Sequence, residues 1–119
     1  GENNMEKIVM QALLYDFYGE LLNDHQKAVY EDYVYNDIGI SEIAAERGIS
    51  RQGVHDLIKR CSNILQDYEN KLHLVERFQK TKELVARINS LTEQFERNND
   101  LQLIDEIRQI SNHILDDTF

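Results

Sequence analysis

Arg51, Gln52, His55 and Lys59 follow one another at helical spacing in a proline-free stretch. A helix turns such a set toward one exposed flank. Arginine and glutamine can each make paired hydrogen bonds to a base edge, to guanine and adenine respectively. His55 can donate to a base or a phosphate, while Lys59, Arg60 and Arg47 offer charge for phosphates. The plain alternative for each is a solvated helix surface. Catalytic chemistry is not signalled. His25, His55, His73 and His113 form no pair three or four residues apart, so the helix-borne metal motif is missing. Cys61 falls on an apolar face between Leu57 or Ile58 and Leu65, the setting of a packed thiol rather than a nucleophile. Carboxylates are abundant but accompany no phosphate-cradling glycine loop, and no cofactor is called for.

The elements that would position these side chains lie in residues 41–60. Ser41 reads as an N-cap with Glu42 in the favourable first turn. Ile43, Ala44 and Ala45 supply the apolar part of a two-turn helix ending at Gly48. Ala44 suits a close helix crossing, Gly48 can take positive φ and release the chain, and Ile49 plugs the corner. Ser50 caps a second helix anchored by Val54 and by Leu57 or Ile58, leaving its first turn exposed. Together these spacings predict a helix-turn-helix, whose exposed turn is the part that enters a major groove in that motif class. Gly53, inside that turn, costs about 1 kcal/mol relative to alanine. Either backbone approaches something closely there or the helix is softened.

The rest of the chain also reads as helix. Residues 6–22 carry Ile8, Leu13 or Leu14, Phe17 or Tyr18, and Leu21 or Leu22 in a helical stripe. Asn23 and Gln26 match a capping box, and the helix they open should stop near Asn36. Beyond Arg51 there is neither proline nor, after Gly53, glycine. Cys61, Leu65, Tyr68, Leu72, Val75 and Gln79 continue a three-and-four spacing, which predicts a long helix over 51–79 with a break near Gln79–Lys82. A turn at Asn98-Asn99-Asp100 precedes a last helix. Tyr15, Phe17, Tyr18, Tyr30, Tyr33, Tyr35 and Tyr68 fall at helical spacing, favouring packing between helices over a base-stacking platform. The fold class is all-α: a helix-turn-helix domain over 5–75, then long amphipathic helices over 76–119 as a dimerisation element.

The chain has 119 residues, one cysteine and a formal charge of −9. That length supports one compact domain, or a small domain plus an extended appendage, and one cysteine excludes an internal disulfide. No apolar run is long enough to span a membrane, and the N-terminus lacks the pattern of a signal peptide, so a cytoplasmic protein without membrane insertion is expected. Gly1 is no initiator and Met5 is a natural start, so residues 1–4 read as a foreign remnant and are left out of the fold reading. An average of −9 argues against coating nucleic acid non-specifically, but the charge is uneven. Residues 1–40 stand at −6 and residues 61–119 at −4, while residues 41–60 stand at +1.

Residues from about 20 to 65 resemble the promoter-reading region 4 of bacterial sigma factors. The whole chain resembles the small YlxM-type family of helix-turn-helix proteins of Gram-positive bacteria. The anchors are Leu14-Tyr15-Asp16-Phe17-Tyr18, Leu21-Leu22, Gln26, Tyr33-Val34-Tyr35-Asn36-Asp37, Ser41-Glu42-Ile43-Ala44, Ser50-Arg51-Gln52-Gly53-Val54-His55-Asp56, Ile58-Lys59-Arg60, and Leu65 through Leu72. They cover residues 5–75; the last third is less distinctive. The resemblance implies a regulatory protein linked to the signal recognition particle pathway by gene neighbourhood. By analogy with sigma factors, the recognition residues fall on Arg51, Gln52, His55 and Lys59, supported by the helix from Ser41 to Arg47. Gly53 departs from the alanine common in relatives.

Two functions therefore compete, neither of them enzymatic. The first is a dimeric DNA-binding regulator contacting DNA through Arg47, Ser50, Arg51, Gln52, His55, Lys59 and Arg60. The second is a protein- or RNA-interaction module, for example a partner of signal recognition particle components, that keeps the motif as scaffold.

Overall fold

A computed structural model describes residues 2–118, with side chains from 6 to 117. Among the described residues there are six α-helices and no strand: α1 (Glu2–Tyr18), α2 (Asp24–Val34), α3 (Ile40–Arg47), α4 (Arg51–Leu72), α5 (Leu74–Asn98) and α6 (Gln102–Thr118), with a single 3-10 turn, Gly19–Leu21, after α1. The all-α expectation holds. None of these helices is long and apolar enough to cross a membrane. The chain divides into two compact units, the first ending at Val75 and the second beginning at Glu76.

The first unit packs α1 to α4 around one core. From α1 the buried stripe is Gln11, Leu14 and Tyr18, continued by Leu22 just after the 3-10 turn, which resolves the open pairs Leu13/Leu14, Phe17/Tyr18 and Leu21/Leu22. Ile8, expected on that stripe, is exposed with Val9 and Met10, because Gln11 takes the inward place one turn later. Its Nε2 donates to Ser62 Oγ at 3.2 Å, and that hydroxyl meets Tyr30 Oη at 2.9 Å. These part-buried bonds join α1, α2 and α4, beside a core that includes Val29, Tyr30, Ile43, Val54, Cys61 and Leu65, all of them buried. The backbone of residues 2–4 is continuous with α1; Gly1 lies outside the described residues.

Local signals at the start of α2 act as read. Asn23 Oδ1 accepts from the Gln26 amide at 2.8 Å, and Gln26 Oε1 accepts from the Asn23 amide at 3.0 Å, closing the capping box. Two signals read differently. Ser41 is not a cap: α3 starts at Ile40 behind Gly39, with no side-chain cap bond. Ile38 and Ile40 pack against the core, and seating them draws the helix start ahead of Ser41. The expected long helix over 51–79 also breaks early. α4 stops at Leu72, His73 adopts a left-handed conformation (φ 57°), and α5 then runs unbroken through Gln79–Lys82. The cause lies partly outside the local sequence. Tyr18 Oη accepts from the Leu74 amide at 3.2 Å and Glu69 Oε1 accepts from the Val75 amide at 3.0 Å, so side chains from α1 and α4 satisfy the amides that open α5.

The second unit is a helical hairpin. Asn99 is left-handed (φ 53°). Asn98 Oδ1 accepts from the Asp100 amide, and Asp100 Oδ1 accepts from the Gln102 amide, both at 3.0 Å, so short polar side chains both end α5 and start α6. Leu91 and Leu103 are buried, and Lys80 Nζ lies 4.0 Å from Asp117 Oδ2 at the open end of the hairpin.

Candidate nucleic-acid interface

Apart from the Ser41 cap, the helix-turn-helix forms as the residues of 41–60 dictate. Ala44 is buried where α3 crosses α4. Gly48 takes φ 68°, a conformation that favours glycine, and the amides of Gly48 and Ile49 both return to the Ala44 carbonyl. Ser50 is extended, and its Oγ accepts from the Gly53 amide at 2.9 Å. Gly53 thereby gains a specific reason: a Cβ there would lie 3.0 Å from Ser50 Oγ, crowding the cap. Val54 and Ile58 are buried and Leu57 is half-buried, so the anchor on the second helix is Val54 with Ile58.

The candidate contact residues fall into two groups. Arg51, His55, Lys59 and Arg60 are exposed on α4, and they make no hydrogen bond or ion pair among the described residues. Gln52 and Arg47 are already engaged. Gln52 Nε2 donates to Asp56 Oδ1 at 2.9 Å. Arg47 Nη2 donates to Asp32 Oδ2 at 3.0 Å, and the other oxygen of Asp32 accepts from Asn36 Nδ2 at 3.1 Å. Asp32 therefore ties the end of α3 back onto α2. The Arg47 side chain keeps 35% of its exposure against 14% for Asp32.

The groups set aside from chemistry are held in structural roles. Burial pushes the Cys61 thiol up to about 11, only partly countered by Arg60, so it is protonated at neutral pH and is no thiolate nucleophile. Tyr18 stacks on Tyr68, with ring centroids 6.0 Å apart. Tyr15 donates to Glu31, and Tyr35 donates to Asp16, joining α1 to α2. The spacing of the tyrosines announced helix packing; their carboxylate partners, 16 and 19 residues away, left no local signal. Asp56 is the exposed residue of this face that the sequence reading missed. Its position one turn beyond Gln52, at the spacing of an intrahelical pair, was the available signal.

Comparison with known proteins fits this geometry. A family described as "Putative helix-turn-helix protein, YlxM / p13 like" matches residues 5–113. The chain belongs to this family, UPF0122. The UPF0122 protein of Malacoplasma penetrans is 46% identical over 85 residues, covering 70% of this chain and 79% of that protein. The UPF0122 protein of Clostridium acetobutylicum is 37% identical over 109 residues, covering 88% and 94%. That of Bacillus thuringiensis is 36% identical over 108 residues, covering 89% and 98%. The UPF0122 match thus takes in the helix-turn-helix and most of the second unit.

Proposed function

We propose that this chain is a DNA-binding regulatory protein that reads duplex DNA with the first turns of α4. One observation carries the proposal: Arg51, His55, Lys59 and Arg60 project unpaired from a Ser50-capped helix in residues 41–60, which stand at +1 in a chain of −9. An acidic body with a sparing basic head favours selective, salt-sensitive contact over coating. Arg47 and Ser50 lie at the ends of the α3–α4 turn, where phosphate contacts set the register of such motifs. Such a role belongs to the cytoplasm.

The partner in this function is a second copy of the chain. A two-helix hairpin is too small to bury its apolar faces alone, and Phe78, Val85, Ile104 and Leu115 remain exposed on it. Pairing two hairpins carries two α4 helices, which reach successive major grooves when spaced about 34 Å apart. Sedimentation of the full chain tests the pairing: a dimer at micromolar concentration is expected, and a monomer throughout removes it. Gel-shift against duplexes selected from a random pool tests DNA reading. A retained sequence preference supports it; none at low salt sinks it.

The engagement of Gln52 by Asp56 and of Arg47 by Asp32 favours a second reading, in which the motif is a scaffold for binding protein or RNA, such as signal recognition particle components. Pull-down from extract, scored separately for protein and RNA at near-physiological salt, distinguishes it.

A further inference from the structure

The buried seam of α4 is Val54, Ile58, Cys61 and Leu65. The same spacing two residues earlier gives Gln52, Asp56, Lys59 and Asn63, all exposed. Two residues turn a helix by about 200°, so this second row lies almost opposite the seam and is the outermost line of the helix. Asp56 sits in its middle, between Gln52 and Lys59. A duplex approaching α4 along this face meets the carboxylate before it meets Arg51 or Arg60, which lie nearer the flanks.

A carboxylate so placed has few acceptable partners on DNA. Phosphate repels it, as do the acceptor edges of guanine and thymine. The amine of adenine stands beside the N7 acceptor, which also repels a carboxylate. Cytosine presents its N4 amine with no acceptor of its own in the major groove. The orientation is fixed in advance: Gln52 Nε2 donates to Asp56 Oδ1 at 2.9 Å. Asp56 Oδ2 accepts no hydrogen bond among the described residues and remains available. Lys59, next along the row, supplies the cation that offsets the charge of Asp56 against the neighbouring phosphates.

On these grounds we propose that Asp56, steadied by Gln52, is a specificity-determining residue of α4 that accepts a hydrogen bond from the exocyclic amine of a cytosine. The inference rests on DNA reading by α4 and deepens it by naming a base.

Selection of the full-length chain on a pool of random duplexes tests it, with wild type, Asp56→Asn and Arg51→Ala run in parallel. Asp56→Asn keeps an acceptor for Gln52 and is exposed, and far-ultraviolet circular dichroism verifies its helix content. Wild type is expected to enrich a cytosine at one fixed position. Asp56→Asn is expected to lose that preference by roughly five- to a hundredfold, keep the others, and bind random duplex more tightly. Arg51→Ala should relax a different position and leave the cytosine in place. If wild type and Asp56→Asn enrich the same bases at every position, the role of Asp56 is overturned while DNA reading stands. If wild type enriches no sequence at low salt, DNA reading itself fails and takes this proposal with it.

Discussion

Tyr18 Oη donates to Glu69 Oε1 at 2.6 Å, joining the end of α1 to the last turns of α4 across 51 positions of sequence. The same two oxygens receive the amides of Leu74 and Val75. A left-handed His73 costs backbone energy that glycine would avoid, and this capping offsets it. The geometry works only with Tyr18 protonated, and burial together with the Glu69 carboxylate raises its phenol above the ordinary value.

Removing that hydroxyl should therefore loosen a junction rather than a core. Tyr18→Phe keeps the ring against Tyr68 but leaves the Leu74 amide without its acceptor, a loss of about 1–2 kcal/mol. Urea unfolding gives the stability change, and hydrogen exchange should show the Leu74 and Val75 amides accelerated ahead of those in mid-α4. Unchanged exchange at both would mean that they are satisfied some other way.

Glycine at 53 gives an expectation with an unusual sign. Gly→Ala within a helix ordinarily stabilises by about 1 kcal/mol. Here the new Cβ would stand 3.0 Å from Ser50 Oγ, so Gly53→Ala should gain little or nothing alone. Combined with Ser50→Gly, which removes the hydroxyl at a cost of a few tenths of a kcal/mol, the same alanine should recover about 1 kcal/mol. Thermal melts of the four chains in the cycle provide the comparison. Equal gains in both backgrounds would separate Gly53 from the cap.

Alkaline pH should unfold the protein as its buried phenols and thiol ionise. Burial raises Tyr15, Tyr18, Tyr30 and Tyr35 above the usual phenol value and pushes Cys61 up to about 11. In each case the folded chain holds its proton more tightly than the unfolded chain. Their contribution is complete below about pH 9 and is lost as pH climbs, because only the unfolded state has then released the protons. Denaturation midpoints should hold steady from pH 7 to about 9 and fall beyond it. Phenolate absorbance from these four tyrosines should appear together with loss of helix. Phenolate forming near pH 10 in an intact fold would contradict this.

Much of the first unit was legible because its signals are local. The Asn23–Gln26 capping box, the left-handed Gly48 and the Ser50 cap each act within three or four residues. The end of α4 was not legible. The apolar spacing runs smoothly through Leu72, Val75 and Gln79, and what meets the opening amides of α5 is Tyr18, brought in by tertiary structure from α1, together with Glu69 on α4 itself. Ser41 misled for the opposite reason: a good local cap was overruled by the packing of Ile38 and Ile40. At the candidate interface, residue type and exposure were readable in advance. The pairings Arg47–Asp32 and Gln52–Asp56 separate engaged side chains from available ones; the second follows intrahelical spacing, whereas the first joins residues 15 apart and leaves no local trace.

Lys59 should act through charge rather than base identity. Lys59→Ala is expected to weaken binding evenly across duplex sequences and to lower the slope of log affinity against log salt by about 1. Titrations at three salt concentrations measure it. A change confined to one sequence would instead assign Lys59 to a base.

The central claim is that α4 reads DNA through its first turns, and polarisation titration of a selected duplex against its scrambled counterpart tests it most directly. Wild type is expected to prefer the selected duplex, and the double variant Arg51→Ala, Gln52→Ala should lose that preference while keeping its helix content. No preference in wild type at low salt, or an unchanged one in the double variant, would contradict it.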